Sequence, residues 1–90
     1  MAHHDLKIFD GSFQPLKAGI KTADVRFNDR NYQVGDSVTL RAGWPDLSAE
    51  GGFHFTGEEM SARITFITDY GCAQGYVCLS LGDINLLIVQ

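Results

Sequence analysis

The stretch that decides the fold is Glu59-Met60-Ser61-Ala62-Arg63-Ile64-Thr65-Phe66-Ile67-Thr68. Apolar residues at the even positions up to 66 alternate with polar residues between them, which is the two-residue period of a strand with one buried face. The same alternation over 23–27, 37–41 and 77–81 predicts three more strands, and a weaker alternation over 5–9 predicts a first one. The pattern therefore predicts a small domain made mainly of β-strands.

One helix and one long loop are predicted between these strands. Ser12 to Gly19 has the pattern of a short helix, in which Ser12 caps the start, Pro15 occupies the first turn and Gly19 ends the last turn. Residues 43–57 contain five glycine and proline residues and therefore predict a loop. Its ring-bearing side chains are interpreted either as stacking groups on a lid or as a cover for the core, and they are Trp44, Phe53, His54 and Phe55.

Together these elements define the expected fold class. Five or six short strands with one helix near the start predict an α+β, mainly β fold, a small mixed β-barrel that takes in residues 1–90 as one domain. Small barrels fill their interiors with side chains, so a ligand would lie in a surface cleft. The apolar tail at 84–89 predicts a last strand that is either buried or an open edge, and an open edge would allow a weak homodimer.

Charge and composition exclude several classes of protein. The net charge of −4 and the pI of about 5.1 argue against a protein that coats nucleic acid through bulk basic charge, although they allow a local basic pocket. No apolar run reaches the roughly 20 residues of a membrane span, and no signal peptide is expected at the N-terminus. Cys72 and Cys78 have neither zinc-ligand nor disulfide-framework spacing, which predicts a reduced, cytoplasmic setting.

The richest polar segment is residues 21–36, which contains three acids, three bases and two asparagines. Its strand is expected to expose Asp24, Arg26 and Asn28 on one face, about 7 Å apart, with the apolar residues on the other. Such a row can bind a polar ligand, or it can form a ladder of ion pairs.

A ligand-binding interpretation assigns roles by charge. Lys21, Arg26 and Arg30 suit a phosphate or a base edge, since arginine offers a planar fork of donors and lysine a point charge. Amine and amide groups of a base would be recognised by Asp24, Asn28 and Asp29. This mixture favours a pocket for one or a few nucleotides over a duplex-binding surface.

Structural roles are the alternative for several of these residues. Asp29 and Asp36 can form turns, and Asp24 can pair with Arg26 or Lys21.

The spacing of the histidines does not indicate a metal site. His4 shares a strand face with Leu6 and Ile8, so it points inward, either as a core residue or as part of a pocket. His3, His4 and His54 lack the spacing of metal ligands, and neither a metal nor a cofactor is predicted.

Four segments resemble one family, and they are His4–Ile8, Gly19–Asp36, Thr56–Glu58 and Gly75–Leu79. In this order they resemble the DUF3850 family, which is similar to the ASCH domains of the PUA-like superfamily. The resemblance covers nearly the whole chain, and its most specific part is Arg26-x-Asn28-Asp29-Arg30. It implies a PUA-like β-barrel with a helix beside it, a cleft lined by Lys21–Arg30, and a bacterial or phage origin. The candidate ligand-binding residues are therefore Lys21, Asp24, Arg26, Asn28, Arg30, His4 and Lys7.

The wider superfamily is mostly associated with RNA recognition, but one ASCH branch implies an enzyme. Its members are small amidohydrolases that deacetylate N4-acetylcytidine, and Lys21 matches the lysine of their Gly-x-Lys-Thr-x-x-x-Arg segment. Their nucleophilic threonine falls on Asp24 here, and their later glutamate has no identified equivalent. A carboxylate is a poor substitute for a hydroxyl in acyl transfer, so binding is favoured over catalysis.

Three hypotheses follow from these observations. The first is a binding module that recognises RNA or a modified nucleotide through a small cleft. The second is an amidohydrolase in which Asp24 acts as general base and Lys21 stabilises developing negative charge, with Thr22 as the nearby hydroxyl. The third is a phage or bacterial module whose cleft binds another protein.

Overall fold

A single curled sheet forms most of the protein. The computed structural model describes residues 1–87. Its elements are β1 His3–Phe9, α1 Asp10–Lys17, β2 Ala23–Phe27, β3 Ser37–Pro45, a 3-10 turn Glu50–Gly52, β4 Phe53–Thr68 and β5 Tyr76–Leu87. The strand order across the sheet is β1-β3-β4-β5-β2, with β1 parallel to β3 and all other neighbours antiparallel. The sheet curls into a half-barrel, which confirms the expected small, mainly β, α+β fold.

The core lies in the concave side of this half-barrel. The alternation predicted for β4 is confirmed from Met60 to Ile64, where the even-numbered residues are buried. It fails at Phe66, which is 60% exposed because the pairing with β5 shifts register between Ile64 and Phe66. The helix α1 contacts β1 and β3 and adds the buried side chains of Phe13 and Leu16. Burial of each such side chain contributes about 1.5–3 kcal/mol, so the apolar interior is the main stabilising term.

The helix begins earlier than predicted. It starts at Asp10, with Phe9 at the N-cap and no side-chain capping bond, so the prediction that Ser12 caps the helix is wrong. Pro15 is the sixth residue rather than part of the first turn, and its ring removes one hydrogen bond inside the helix. Asp10 in the first turn compensates in part, since a carboxylate there interacts favourably with the helix dipole.

The end of the helix is as predicted. Gly19 has a φ of +76°, which is the left-handed conformation that glycine adopts without steric cost. The N–H of Gly19 donates to the carbonyl of Leu16 and the N–H of Ile20 donates to the carbonyl of Pro15, both at 3.1 Å. These two bonds satisfy carbonyls that the last turn would otherwise leave unpaired.

The prediction of a loop over residues 43–57 is wrong. β3 and β4 continue through this segment as a hairpin, and only 46–52 connect them. Trp44 lies opposite His54, and their rings stack with centroids 4.6 Å apart. Gly43 is required by close packing rather than by a turn, because a Cβ atom there would lie 2.1 Å from the carbonyl oxygen of His54. The lid interpretation therefore does not apply.

The last strand is longer than predicted. The apolar stretches 77–81 and 84–89 predict two separate strands, but β5 is continuous from Tyr76 to Leu87. Residues 88–89 of the second stretch lie outside the described part of the chain. β2 pairs with β5 only over Tyr76–Ser80, so within residues 1–87 the far half of β5 is paired with β4 alone. A weak homodimer through this strand stays a prediction.

No helix within residues 1–87 has the length and hydropathy needed to span a bilayer.

A buried polar pair fixes β1 to the turn before β3. The Nε2 of His4 lies 2.9 Å from Oδ2 of Asp36, whose carboxylate also accepts the backbone N–H groups of Gln33 at 3.0 Å and Ala2 at 3.1 Å. The hydrogen bond from His4 is the largest of the causes that hold the pKa of Asp36 below its ordinary value of 3.8. The His4 ring also packs edge-on against Tyr32. His4 points inward as predicted, and it does so as a satisfied core residue.

A methyl group at Gly43 should separate β3 from β4. In Gly43→Ala the new Cβ atom meets the His54 carbonyl and the Phe53 ring, and such overpacking typically costs about 1–3 kcal/mol. We expect urea titration to show a loss of free energy of unfolding in that range. Gly11→Ala is the matched control, because nothing lies within 4 Å of its added methyl group and alanine favours a helix. Equal stability of Gly43→Ala and the wild type would contradict the close hairpin packing.

The lowered pKa of Asp36 predicts a specific pH dependence. A carboxylate whose folded-state pKa is depressed stabilises the fold above its ordinary pKa, and this contribution disappears as the pH falls through the lowered value. We therefore expect Asp36→Asn to lower the melting temperature at neutral pH and to differ progressively less from the wild type as the pH falls below the ordinary pKa of 3.8. Asp83→Asn is the control, since Asp83 is exposed and only pairs with Arg63. A deficit for Asp36→Asn that does not change with pH would contradict this role.

Candidate functional site

The polar row of β2 faces the interior of the half-barrel. Asp24 is only 7% exposed, whereas Val25 and Phe27 are 58% and 55% exposed. Asp24 and Arg26 share a face, as alternation predicted, but the expectation that this face is the exposed one is wrong. The pairing of β2 with β5 explains the inversion, because Asp24 lies opposite the buried Leu79. A carboxylate and a guanidinium therefore enter the concave side of the sheet.

These two side chains bridge the open seam between the two edge strands of the sheet. The Nε of Arg26 donates to Oδ2 of Asp24 at 2.5 Å, and its Nη2 donates to the backbone carbonyl of Lys7 in β1 at 2.6 Å. Lys21 Nζ lies 4.0 Å from the other carboxylate oxygen of Asp24. Among residues 1–87, no backbone hydrogen bond joins β1 to β2, so Arg26 makes the polar link across the seam.

A cleft of about 520 Å³ opens over this seam, and we call it the seam cleft. Its polar wall consists of Lys7, Ser12, Asp24, Arg26 and Asp29. Its apolar wall is formed largely by aromatic rings from β1, β2, β4 and β5, and these are Phe9, Phe27, Phe53 and Tyr76. The cleft thus combines hydrogen-bonding groups with flat apolar surfaces that solvent reaches.

A second cleft of about 310 Å³ adjoins the first, and we call it the basic groove. Its cations are Lys7, Arg26, Arg30 and Arg41, and its carboxylates belong to Asp5 and Asp29. Lys7, Arg26 and Asp29 line both clefts, so the two are continuous at the seam.

The structure brings together most of the predicted ligand-binding residues. Lys7, Asp24 and Arg26 line the seam cleft, and Arg30 joins Lys7 and Arg26 in the basic groove. Lys21 lines neither cleft and reaches the site only through its contact with Asp24. The alternative of structural pairing also holds, because Asp24 pairs with both Arg26 and Lys21.

Three other candidates lie elsewhere. Asn28 accepts the backbone N–H of Tyr32 through its side chain at 3.2 Å, which is a turn-forming contact. His4 is buried with Asp36, and Thr22 is exposed outside both clefts. None of these three side chains lines the seam cleft or the basic groove.

Sequence reasoning missed several lining residues. Alternation predicts that Phe27 lies on the buried face of β2, but it is 55% exposed and lines the seam cleft. Arg41, which lines the basic groove, is not among the residues that the sequence predicts for the site. Asp29 was favoured as a turn former, yet it lines both clefts. The alternation shows which residues share a face but not which face is buried, so no signal in the sequence distinguished these residues.

The one glutamate within the matching segments has a structural role. Glu58 accepts Lys17 Nζ at 2.6 Å and Gln14 Nε2 at 2.9 Å, which ties α1 to β4. The hydrogen bond from Lys17 is the first cause that holds the pKa of Glu58 below its ordinary value. Within residues 1–87, no group of three or more His, Cys, Asp or Glu side chains is arranged to hold a metal ion.

Comparison with known proteins agrees with the resemblance seen in the sequence. The family model described as "Domain of unknown function (DUF3850)" matches residues 3–81, which include every residue that lines the two clefts. The chain is also 37% identical over 90 residues to the "Uncharacterized 12.9 kDa protein in GpA 3'region" of Escherichia phage P2. That alignment covers 97% of this chain and 76% of the phage protein. The chain therefore belongs to the DUF3850 family.

Proposed function

We propose that this protein is a binding module whose seam cleft accepts the base of a nucleotide or of single-stranded RNA. The observation that carries the proposal is the placement of the Asp24–Arg26 pair beside exposed aromatic rings in one cleft. The cleft volume of about 520 Å³ falls within the range of roughly 300–1,000 Å³ that small-molecule sites occupy.

The polar wall has hydrogen-bonding capacity to spare. Arg26 uses its Nε and one proton of Nη2 inside the protein, and a guanidinium has five N–H donors in all. Within residues 1–87, the one cation near Oδ1 of Asp24 is Lys21 Nζ, at 4.0 Å. A carboxylate and a guanidinium side by side match a base edge that presents an amine next to a carbonyl or ring nitrogen.

The apolar wall suits the flat face of a base. Phe27 and Tyr76 pack edge to face with centroids 5.5 Å apart, and both remain substantially exposed. Stacking of a base on an aromatic side chain contributes about 1–3 kcal/mol and tolerates any base. Exposed aromatic rings of this kind within a cleft are more typical of a binding surface than of a core.

A single unstacked base fits the charge of the protein better than a duplex does. Duplex binding relies on extended basic surface, and the net charge of the chain is −4. RNA recognition by sequence usually targets single-stranded bases that can enter a pocket. The similarity to ASCH and PUA-like domains supports the same class of ligand and forms part of this proposal, as does action in the cytoplasm of a bacterium or of a phage-infected cell.

Nucleotide titration with a matched pair of variants tests the proposal. We expect the amide resonances of Asp24 and Phe27 to shift on addition of nucleoside 5′-monophosphates or a short single-stranded RNA. Phe27→Leu should weaken binding at least about fivefold, because it removes one stacking surface but keeps an apolar side chain. The control is Phe66→Leu, since Phe66 is 60% exposed and lies outside both clefts.

Equal losses in the two variants would place binding outside the seam cleft. Failure of every nucleotide to bind at millimolar concentration would contradict the proposal and favour the hypothesis that the cleft binds another protein.

An amidohydrolase is the second candidate, and the contact between Lys21 and Asp24 favours it. In this function Asp24 takes a proton from water that attacks the amide carbonyl, and Lys21 stabilises the negative charge that develops on the carbonyl oxygen. Asp24 then returns this proton to the leaving amine as the C–N bond breaks. Thr22 lines neither cleft, and within residues 1–87 the hydroxyls of Ser12 and Tyr76, which do line the seam cleft, make no hydrogen bond to Asp24. Binding without turnover is therefore the function we prefer.

Incubation with N4-acetylcytidine separates the two candidates. We expect no deacetylation above the uncatalysed rate when the products are separated by chromatography. Turnover that falls about 10²–10⁴-fold in Asp24→Asn, and that also falls in Lys21→Ala, would establish catalysis and overturn this preference. A further loss in Thr22→Ala would show that the Thr22 hydroxyl also contributes to turnover.

A further inference from the structure

We propose that the basic groove is a phosphate site, and that it holds the phosphate of the nucleotide whose base lies in the seam cleft. The second part of this statement rests on the proposed function. The first part rests on the groove itself, which gathers four of the seven lysine and arginine residues of a chain with a net charge of −4. Two carboxylates line the groove beside these four cations, and two more, those of Asp24 and Glu59, pair with Arg26 and Arg41 from outside it.

Two of the four cations are held in place by aromatic rings. The Arg41 guanidinium lies 4.0 Å from the ring centroid of Phe55, and Lys7 Nζ lies 5.5 Å from that of Phe53. Both rings belong to β4 near the hairpin, where they pack against each other with centroids 5.1 Å apart. Cation–π contacts of this kind orient the charged group and leave its N–H donors available to an anion.

Two of the groove cations, Arg30 and Arg41, make solvent-exposed ion pairs, in contrast to the largely buried pair of Arg26 with Asp24. Arg30 Nε lies 4.0 Å from Asp29 Oδ1, and both side chains are exposed. Arg41 Nε lies 3.3 Å from Glu59 Oε2 and is likewise open to solvent. Exposed pairs of this type contribute about 0–1 kcal/mol, so a phosphate can displace either carboxylate at little cost. Arginine forks also match phosphate oxygens in a bidentate geometry.

Because the two clefts are continuous, they define the direction in which a ligand would lie across both of them. Lys7, Arg26 and Asp29 line both of them, and Arg26 points one nitrogen at Asp24 and another at the Lys7 carbonyl. A ligand that places its base on the aromatic wall therefore passes over Arg26 before its phosphate reaches Arg30 and Arg41. We infer that a nucleoside monophosphate binds more tightly than the corresponding nucleoside.

The test compares cytidine, cytidine 5′-monophosphate and inorganic phosphate on the same protein. We expect the monophosphate to bind at least about tenfold more tightly than the nucleoside at low salt. Arg30→Gln and Arg41→Gln should each remove most of that advantage and leave nucleoside affinity unchanged. Arg63→Gln is the matched control, because Arg63 is exposed, pairs with Asp83 and lies outside both clefts.

Inorganic phosphate separates this inference from the proposed function. At constant ionic strength it should shift the Nε–H resonances of Arg30 and Arg41 in the wild-type protein. Such shifts without any nucleoside binding would count against the proposed function and leave the phosphate site standing. Equal affinities for nucleoside and monophosphate, or an effect of inorganic phosphate no larger than that of chloride, would overturn the inference.

Discussion

The arginine that spans the seam is the interaction on which the rest of this structure depends. A half-barrel leaves two edge strands whose unpaired backbone groups are open to water or to another chain. Arg26 links these two edges with one side chain, because it donates to Asp24 on its own strand and to the Lys7 carbonyl on the opposite edge. The same pairing makes burial of the Asp24 carboxylate tolerable, since a buried charge without a partner would be strongly destabilising.

β1 is consequently held from both sides. Parallel pairing with β3 and the buried contact between His4 and Asp36 fix it to the sheet, while Arg26 fixes its free edge. The helix α1 follows β1 directly and packs over the apolar interior with Phe13. Arg26 joins the two edge strands through side-chain hydrogen bonds and not through a backbone ladder. The space that remains above this link is the seam cleft.

The candidate site exists because the barrel is not closed between its two edge strands, β1 and β2. The interior pair Asp24 and Arg26 becomes accessible where the sheet does not close, and the outward-facing Phe27 borders the opening. The hairpin of β3 and β4 extends one wall of the seam cleft and supplies rings that position cations in the basic groove. Hydrogen-bonding groups, aromatic rings and cations from several strands thus lie together at one seam.

The sequence alone determined the alternating parts of the strands, the side chains that share a face, the glycine at the end of the helix and the family. The tertiary structure decided which face is buried, because the two faces of a pleat are equivalent until a neighbouring strand covers one of them. Pairing with Leu79 turns Asp24 inward, and contact with the His54 backbone makes Gly43 a packing residue. The bond from Arg26 to Lys7 joins residues 19 positions apart, and only the curl of the sheet brings them together.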